Sequence, residues 1–287
     1  MKLALFGSRG QVATEVQRRL PEGVTLEVIG RNRADFAHPE TVRDVARALE
    51  VDAVINAAAY TAVDKAEDEP ELATTINGTS VGALAEACAE TGAALVHIST
   101  DYVFSGVGTE PWSPKDATDP QGMYGKSKLA GEIELAKYAG AFATLRTSWV
   151  FSAHGNNFVK TMLKFGAERP ELKVVNDQIG GPTAAADIAD ACLTLAAALT
   201  DGQAGGIYHF SGAPDVSWAD FARAIFEQSE LNPAIVDIPS SAWPTKTPRP
   251  LNSRLDCSSL EADFGIKRPE WRAALAHVLE ELGQKSA

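Results

Sequence analysis

Basic charge is scarce in this 287-residue chain: 26 Lys and Arg stand against 38 Asp and Glu, a formal net charge of -12. That balance argues against broad nucleic-acid binding, which needs a basic face to displace counterions from phosphates, so no nucleic-acid partner is expected. Any anionic ligand has to meet local positive charge. Cysteine is scarcer still. Cys88, Cys192 and Cys257 are far apart and match no metal-ligand or redox spacing, so all three read as reduced packing residues and neither a disulfide framework nor a zinc site is expected. Long hydrophobic runs are missing at the amino end. Met1 to Phe6 is apolar for only a few residues before Gly7, Arg9 and Gly10, too short for a signal-peptide core or a membrane span, which makes a cytoplasmic location without membrane partners the default expectation. Internal repeats, low-complexity tracts and coiled-coil heptads are lacking too. What is present, 45% apolar and 22% charged residues, is the composition of a globular protein long enough for one large α/β unit or two lobes.

Short apolar runs alternate with helical periodicity through the first half. Lys2 to Phe6 ends at glycine, and Val12 to Leu20 then carries apolar residues at helical spacing. Leu26 to Ile29, Ala53 to Asn56, Ala94 to Ile98 and Ala143 to Thr147 read as further strands, separated by helix-like stretches at Thr41 to Leu49, Glu71 to Thr91 and Tyr124 to Tyr138. Continuous apolar strands between helices imply a parallel sheet covered on both faces, that is, a doubly wound α/β fold. After about residue 150 the texture changes, and prolines crowd from Pro233 to Pro250. A smaller lobe is therefore expected to interleave in the C-terminal half. Residues 1–150 plus about 173–205 are assigned to a dinucleotide-binding domain, and about 151–172 plus 206–287 to the smaller one.

Gly7-Ser8-Arg9-Gly10-Gln11-Val12-Ala13 follows the first strand and opens a helix. Glycines there let the backbone turn sharply and approach a pyrophosphate at the amide-rich helix N-terminus, although a glycine turn can also be purely structural. The second strand is followed by Gly30-Arg31-Asn32-Arg33, where an NAD-binding fold often has an acid for the ribose 2′-hydroxyl. Arg31 suits a 2′-phosphate instead; the alternative is that both arginines are solvated loop charges. Tyr124 and Lys128, four apart at a helix start, share a face, and a nearby ammonium favours the phenolate of a tyrosine whose ordinary pKa is about 10. Ser99-Thr100-Asp101 closes the preceding strand at the carboxyl edge where open α/β sheets bind ligands, unless it is only a cap. In the C-terminal half, Lys246, Arg249 and Arg254 cluster without an acidic residue among them, a patch suited to a diphosphate or a basic surface loop.

The glycine loop, Asn56-Ala57-Ala58-Ala59, Ser99 to Phe104 and Tyr124-x-x-x-Lys128 resemble the extended short-chain dehydrogenase/reductase family, with its Rossmann-like fold. Ile55 to Pro70, the stretch from Tyr124 to Glu132, Arg146 to Phe151, Gly155 to Phe158, Asn176 to Gln178 and Arg249 to Leu255 are similar, within that family, to the dTDP-4-dehydrorhamnose reductases. The resemblance spans both halves of the chain. It implies reduction of the 4-keto group of dTDP-4-dehydro-L-rhamnose to dTDP-L-rhamnose by hydride from NADPH, with NADH as an alternative donor, through Thr100, Tyr124 and Lys128. It further implies a cofactor along Gly10, Gln11 and Val12, beside Asp35 and Phe36, and across Ala59, Tyr60 and Thr61 to Tyr124 and Lys128, to which the residues read above add Gly7 and Arg31. The nucleotide sugar would meet Thr100, Asp101 and Trp149, with Asn156, Asn157 and Gln178 nearby, and the basic cluster adds Arg249 for its diphosphate. Some members bridge two subunits with magnesium through glutamates, one of them where Glu15 stands. A second ligand would fall near Ala186, which has no donor, so no metal is expected and a monomer or weak homodimer is. Two other readings stay open: another nucleotide-sugar reductase or epimerase of the family, or a non-catalytic cofactor-binding regulatory subunit.

Overall fold

Each of the short apolar runs forms a strand, because residues of alternate parity have a hydrophobic layer to enter on either side of the sheet. The computed structural model describes residues 1–138 and 140–284. The strands β1 (Lys2–Phe6), β2 (Thr25–Ile29), β3 (Ala53–Asn56), β4 (Ala94–Thr100), β5 (Phe142–Thr147) and β6 (Gly206–Phe210) make one sheet. Its order is β6-β5-β4-β3-β1-β2, with every pairing parallel. Leu3 and Leu5 of β1 enter a core shared with α1 (Gln11–Arg18) and the alanine-rich helix Ala185–Thr200. Ala4 and Phe6 enter the opposite core, shared with α2 (Pro39–Arg47), α3 (Ser80–Thr91) and the end of α4 (Met123–Leu135). This is the Rossmann-like doubly wound sheet.

A third core lies beyond the sheet, where Phe151, Val159, Leu172, Phe221 and Trp271 pack together. Two segments fall on different sides of this division than expected. Glu171–Val175, whose residues from Lys173 on were assigned with the first lobe, pairs in parallel with Ala234–Ile238 as a separate two-stranded sheet. Its burial alternates, with Leu172 and Val174 turned into the third core and Glu171 and Lys173 toward solvent, so only one of its faces is apolar. Gly206–Phe210, assigned to the smaller lobe, is instead the sixth strand of the main sheet, with His209 and Phe210 buried beside β5. Leu260 of the helix Ser258–Phe264 joins the first core, so that segment also returns to the main sheet.

Beneath the carboxyl edge of β4 and β5 lies a charged group that the core cannot leave unpaired. Arg146 Nη2 of β5 donates to Glu132 Oε2 of α4 at 2.6 Å, both side chains being buried. Ser99 Oγ donates to the other carboxylate oxygen at 2.6 Å. This clamp fixes α4 against β4 and β5. The three cysteines are buried and unpaired, and burial pushes the Cys88 and Cys192 thiols up to about 12, which makes them inert. Among the described residues no helix is long and apolar enough to cross a membrane.

Candidate active site

β1 is flanked by β2 on one side and β3 on the other, so the helices following β1 and β3 diverge and leave a crevice at their carboxyl ends. Gly7 turns into that crevice at φ +107°, and a Cβ there would lie 3.2 Å from the Ala57 backbone, so only glycine permits this approach. α1 starts after Gly10 with no side-chain cap and no acidic residue in its first turn. Its first N–H groups are thus open to an anion.

The crevice deepens into a cavity of about 560 Å³. From the cofactor set, Gly10, Gln11, Val12, Ala59 and Thr61 line it; from the catalytic and sugar sets, Thr100, Asp101, Tyr124, Lys128, Trp149 and Asn156 do so. A larger, open depression of about 740 Å³ sits at the amino ends of β1 and β2 and gathers none of these residues.

Tyr124 is carried into the cavity by the first turn of α4. Met123 N donates to Glu67 Oε1 at 2.8 Å, and a Cβ on Gly125 would come within 2.2 Å of the Tyr102 carbonyl, so the helix starts hard against the turn after β4. The Tyr102 and Tyr124 rings meet edge to face at 5.4 Å. Burial pushes the Tyr124 phenol up to about 12, opposed by the Thr100 hydroxyl. Thr100 Oγ1 donates to Asp101 Oδ1 at 3.1 Å and accepts from Tyr102 N at 3.2 Å. Asp101 Oδ2 accepts from Ser253 Oγ, so a residue far along the chain braces the carboxylate that lines the cavity. Burial lifts the Asp101 carboxyl to about 6 against the pull of Ser253 and Thr100. Lys128, one turn beyond Tyr124, is wholly buried; its Nζ donates to Ile98 O at 2.7 Å and lies 3.3 Å from His97 Nε2. Burial draws it down to about 8, opposed by Glu132. Its hydrogen bonds in the free protein therefore run to β4 and not to the phenol.

Trp149 holds a positive φ of 49°, uncommon for a bulky residue, and stacks on Trp218 with ring centroids 3.6 Å apart and planes at 9°. Trp218 Nε1 donates to Gln178 Oε1 at 3.1 Å, and Gln178 Nε2 donates to Ser240 Oγ at 2.9 Å. Gln178 thus stands behind the tryptophan pair, outside the cavity lining. Asn157 caps the helix Phe158–Glu168 through its side chain and donates Nδ2 to Gln11 Oε1 at 2.9 Å, a bond between the two ends of the crevice.

The remaining expected residues lie off the cavity. Tyr60 turns its hydroxyl to Glu69, and Asn77 grips its backbone N–H and carbonyl. Phe36 is a core residue, edge to face with Phe6. Arg31 is 80% exposed with its Nε on Asp35 at 3.0 Å, while Arg33 is paired with Glu27. The basic cluster of the C-terminal half is not an open patch. Arg249 makes a two-pronged bond to Asp64 at 3.0 and 2.7 Å, Lys246 pairs with Asp68, and Arg254 donates to Asn252. The acids that neutralise it lie in the first half of the chain, where a count of local charges misses them. Sequence reasoning also missed His97, Asn77, Trp218 and Ser253. The signal for Ser253 was its place in the stretch Arg249 to Leu255; His97 and Trp218 carried none beyond their residue type.

Glu15, His154 and Glu281 approach one another closely enough to hold a metal ion. The donors do not suit magnesium, which prefers six oxygens. One is a nitrogen, Ala186 offers nothing, and Arg18 already supplies the cation: its guanidinium bonds to Glu281 and faces His154 Nε2 at 2.6 Å.

Comparison with known proteins places this geometry. Residues 1–284 match the family described as the RmlD substrate binding domain. The chain is 43% identical to the dTDP-4-dehydrorhamnose reductase of Escherichia coli K12, over 98% of each protein. Its structure superposes on a dTDP-4-dehydrorhamnose reductase from Clostridium acetobutylicum with TM-score 0.93 and 34% identity, covering 99% of this chain and 100% of that one. A Bacillus anthracis dTDP-4-dehydrorhamnose reductase in complex with NADP gives TM-score 0.92 at 32% identity, covering 98% and 99%. With the likeness running the full length of both partners and through both halves of the cavity, the chain belongs to the dTDP-4-dehydrorhamnose reductase family.

Proposed function

We propose that this protein reduces the 4-keto group of dTDP-4-dehydro-L-rhamnose to give dTDP-L-rhamnose, using NADPH. The observation that carries the reading is the convergence of Thr100, Tyr124 and Lys128 in one cavity with the uncapped start of α1. A bound reduced nicotinamide would supply the hydride. The crevice fits a dinucleotide: Gly7 and Gly10 allow close backbone approach, the first N–H groups of α1 are open to a pyrophosphate, and Ala59 and Thr61 continue the wall toward Tyr124. Tyr124, kept protonated by burial, donates to the developing 4-alkoxide; Thr100 shares the hydrogen bond at that hydroxyl. Lys128, at the cavity wall, would hold the nicotinamide ribose. Trp149 presents an aromatic wall to the sugar, with Asp101 and Asn156 as polar neighbours.

Arg31 is the reader of the 2′-phosphate in this scheme: only its Nε is engaged among the described residues, which leaves two terminal nitrogens for an oxyanion. Arg249 is the sugar-diphosphate candidate only if a ligand draws it from Asp64. The protein acts as a monomer or weak homodimer without bridging magnesium. Incubation with dTDP-4-dehydrorhamnose and either reduced cofactor tests the activity. Loss of nicotinamide absorbance with formation of dTDP-L-rhamnose is expected. Conversion of the sugar with no net cofactor oxidation would make the protein an epimerase, and binding without conversion would make it a regulatory subunit.

A further inference from the structure

Lys128 is held from below by a chain of groups that fixes where one proton can sit. His97, mid-strand in β4, is completely buried. Its Nδ1 lies 3.1 Å from Asn56 Nδ2 and its Nε2 3.3 Å from Lys128 Nζ. Asn56 ends β3, and its Oδ1 accepts from Ala58 N at 3.1 Å. A backbone N–H can only donate, so the amide oxygen belongs on that side and the NH₂ faces the imidazole. His97 Nδ1 must then accept. Burial first, and the charge of Lys128 second, keep His97 well below its ordinary pKa, so the ring is neutral and carries one proton. That proton sits on Nε2 and points at Lys128. An ammonium offers only donors, so the protonated lysine and Nε2–H oppose each other, whereas a lysine amine offers a lone pair.

We propose that His97 is a positioning residue for Lys128, locked by Asn56 as the Nε2–H tautomer so that the network is complete only when the lysine is an amine. The consequence rests on the reductase reading above. After Tyr124 has given its proton to the substrate oxygen, the phenolate needs one back. Lys128 releases a proton through the hydroxyls of the shared cavity, Tyr124 becomes a phenol again, and the resulting amine accepts the hydrogen bond from His97 Nε2 until water reprotonates it. The charged group acting on Lys128 is Glu132, one turn on along α4 and neutralised by Arg146 of β5, while Asp101, just after β4, lines the same cavity. Tyr124 stands one turn before it. Burial opposes the ammonium and Glu132 favours it.

The test is read on the free, full-length protein by ¹⁵N NMR, so it stands whether or not the protein reduces a keto sugar. The imidazole signals of His97 are expected to show Nε2 protonated and Nδ1 bare; the reverse tautomer overturns the proposal by itself. The Asn56→Asp substitution keeps an acceptor for Ala58 N and turns the other oxygen toward Nδ1, which should move the ring proton to Nδ1 and let Nε2 accept from the ammonium. The Lys128 Nζ titration should then shift upward by about one pH unit or more, on the order of tenfold in the protonation equilibrium. In the double variant with His97→Phe the added carboxylate remains but the tautomer is gone. Loss of the upward shift there is expected, while a shift of the same size would make it a plain charge effect and overturn the proposal. For the enzyme, the alkaline limb of kcat should follow the Lys128 titration from variant to variant.

Discussion

In the proposed reaction Tyr124 is the proton donor, and its environment separates proton donation from packing. Tyr124→Phe keeps the ring against Tyr102 and removes only the hydroxyl, so kcat should fall by roughly 10²–10⁴ with cofactor affinity nearly unchanged, as measured by steady-state rates and a binding titration. Arg31 is exposed, so the contribution to NADPH choice proposed for it would be screened by salt. Arg31→Ala should raise the KM for NADPH by roughly tenfold to a hundredfold at low salt, the loss of a charge-assisted bond, and leave the KM for NADH in place. Equal losses with both cofactors would return Arg31 to a loop-supporting role with Asp35. Asp101 gives a pH signature. Its carboxyl is raised in the folded protein to about 6, so the folded state binds the proton more tightly, and the resulting stability is present at low pH and lost as pH rises through 6. Asp101→Asn, which cannot ionise, should therefore melt higher than the wild type at pH 7 to 8, with the advantage vanishing near pH 4. A difference in melting temperature that does not change with pH would show that Asp101 is not titrating as described.

At the level of elements, the decisive contact is the start of α4 against the turn after β4. Gly125→Ala would place a methyl 2.2 Å from a backbone oxygen, so the helix must lift and carry Tyr124 with it. Activity should fall by roughly a hundredfold or more, since about an ångström of misplacement has that effect, while the far-ultraviolet circular dichroism stays that of the wild type. The strands and the glycine turn were legible because period and punctuation are local: Lys2 to Phe6 can hardly be anything but a buried strand. Partner choice was not legible. Glu171–Val175 and Gly206–Phe210 are each five residues long, and a run that short does not say which sheet it joins. Arg249 failed for the same reason, because its partner Asp64 lies far away in sequence. His97 was invisible because a histidine inside an apolar strand reads as filler until Asn56 and Lys128 are seen on either side of it.

For the whole molecule, the bonds that join the two halves of the chain include Asn157 to Gln11, Ser253 to Asp101 and Arg249 to Asp64. None needs a metal. Chelation with EDTA, or added magnesium, should change neither the sedimentation coefficient nor the rate, because Arg18 already neutralises Glu281 and sits beside Glu15. A magnesium-dependent rise in mass would show that a second copy supplies the missing oxygens.

The placement of β6 sets the order in which the protein can be completed during synthesis. β5 ends at Thr147, but its outer neighbour does not begin until Gly206, after the excursion that builds much of the third core. A chain still on the ribosome carries the backbone edge of β5 without a partner for all of that interval, and at about 5–20 residues per second that is several seconds of exposure. The nucleotide half of the cavity can take shape early. The sheet beneath it closes only once the C-terminal half is under way.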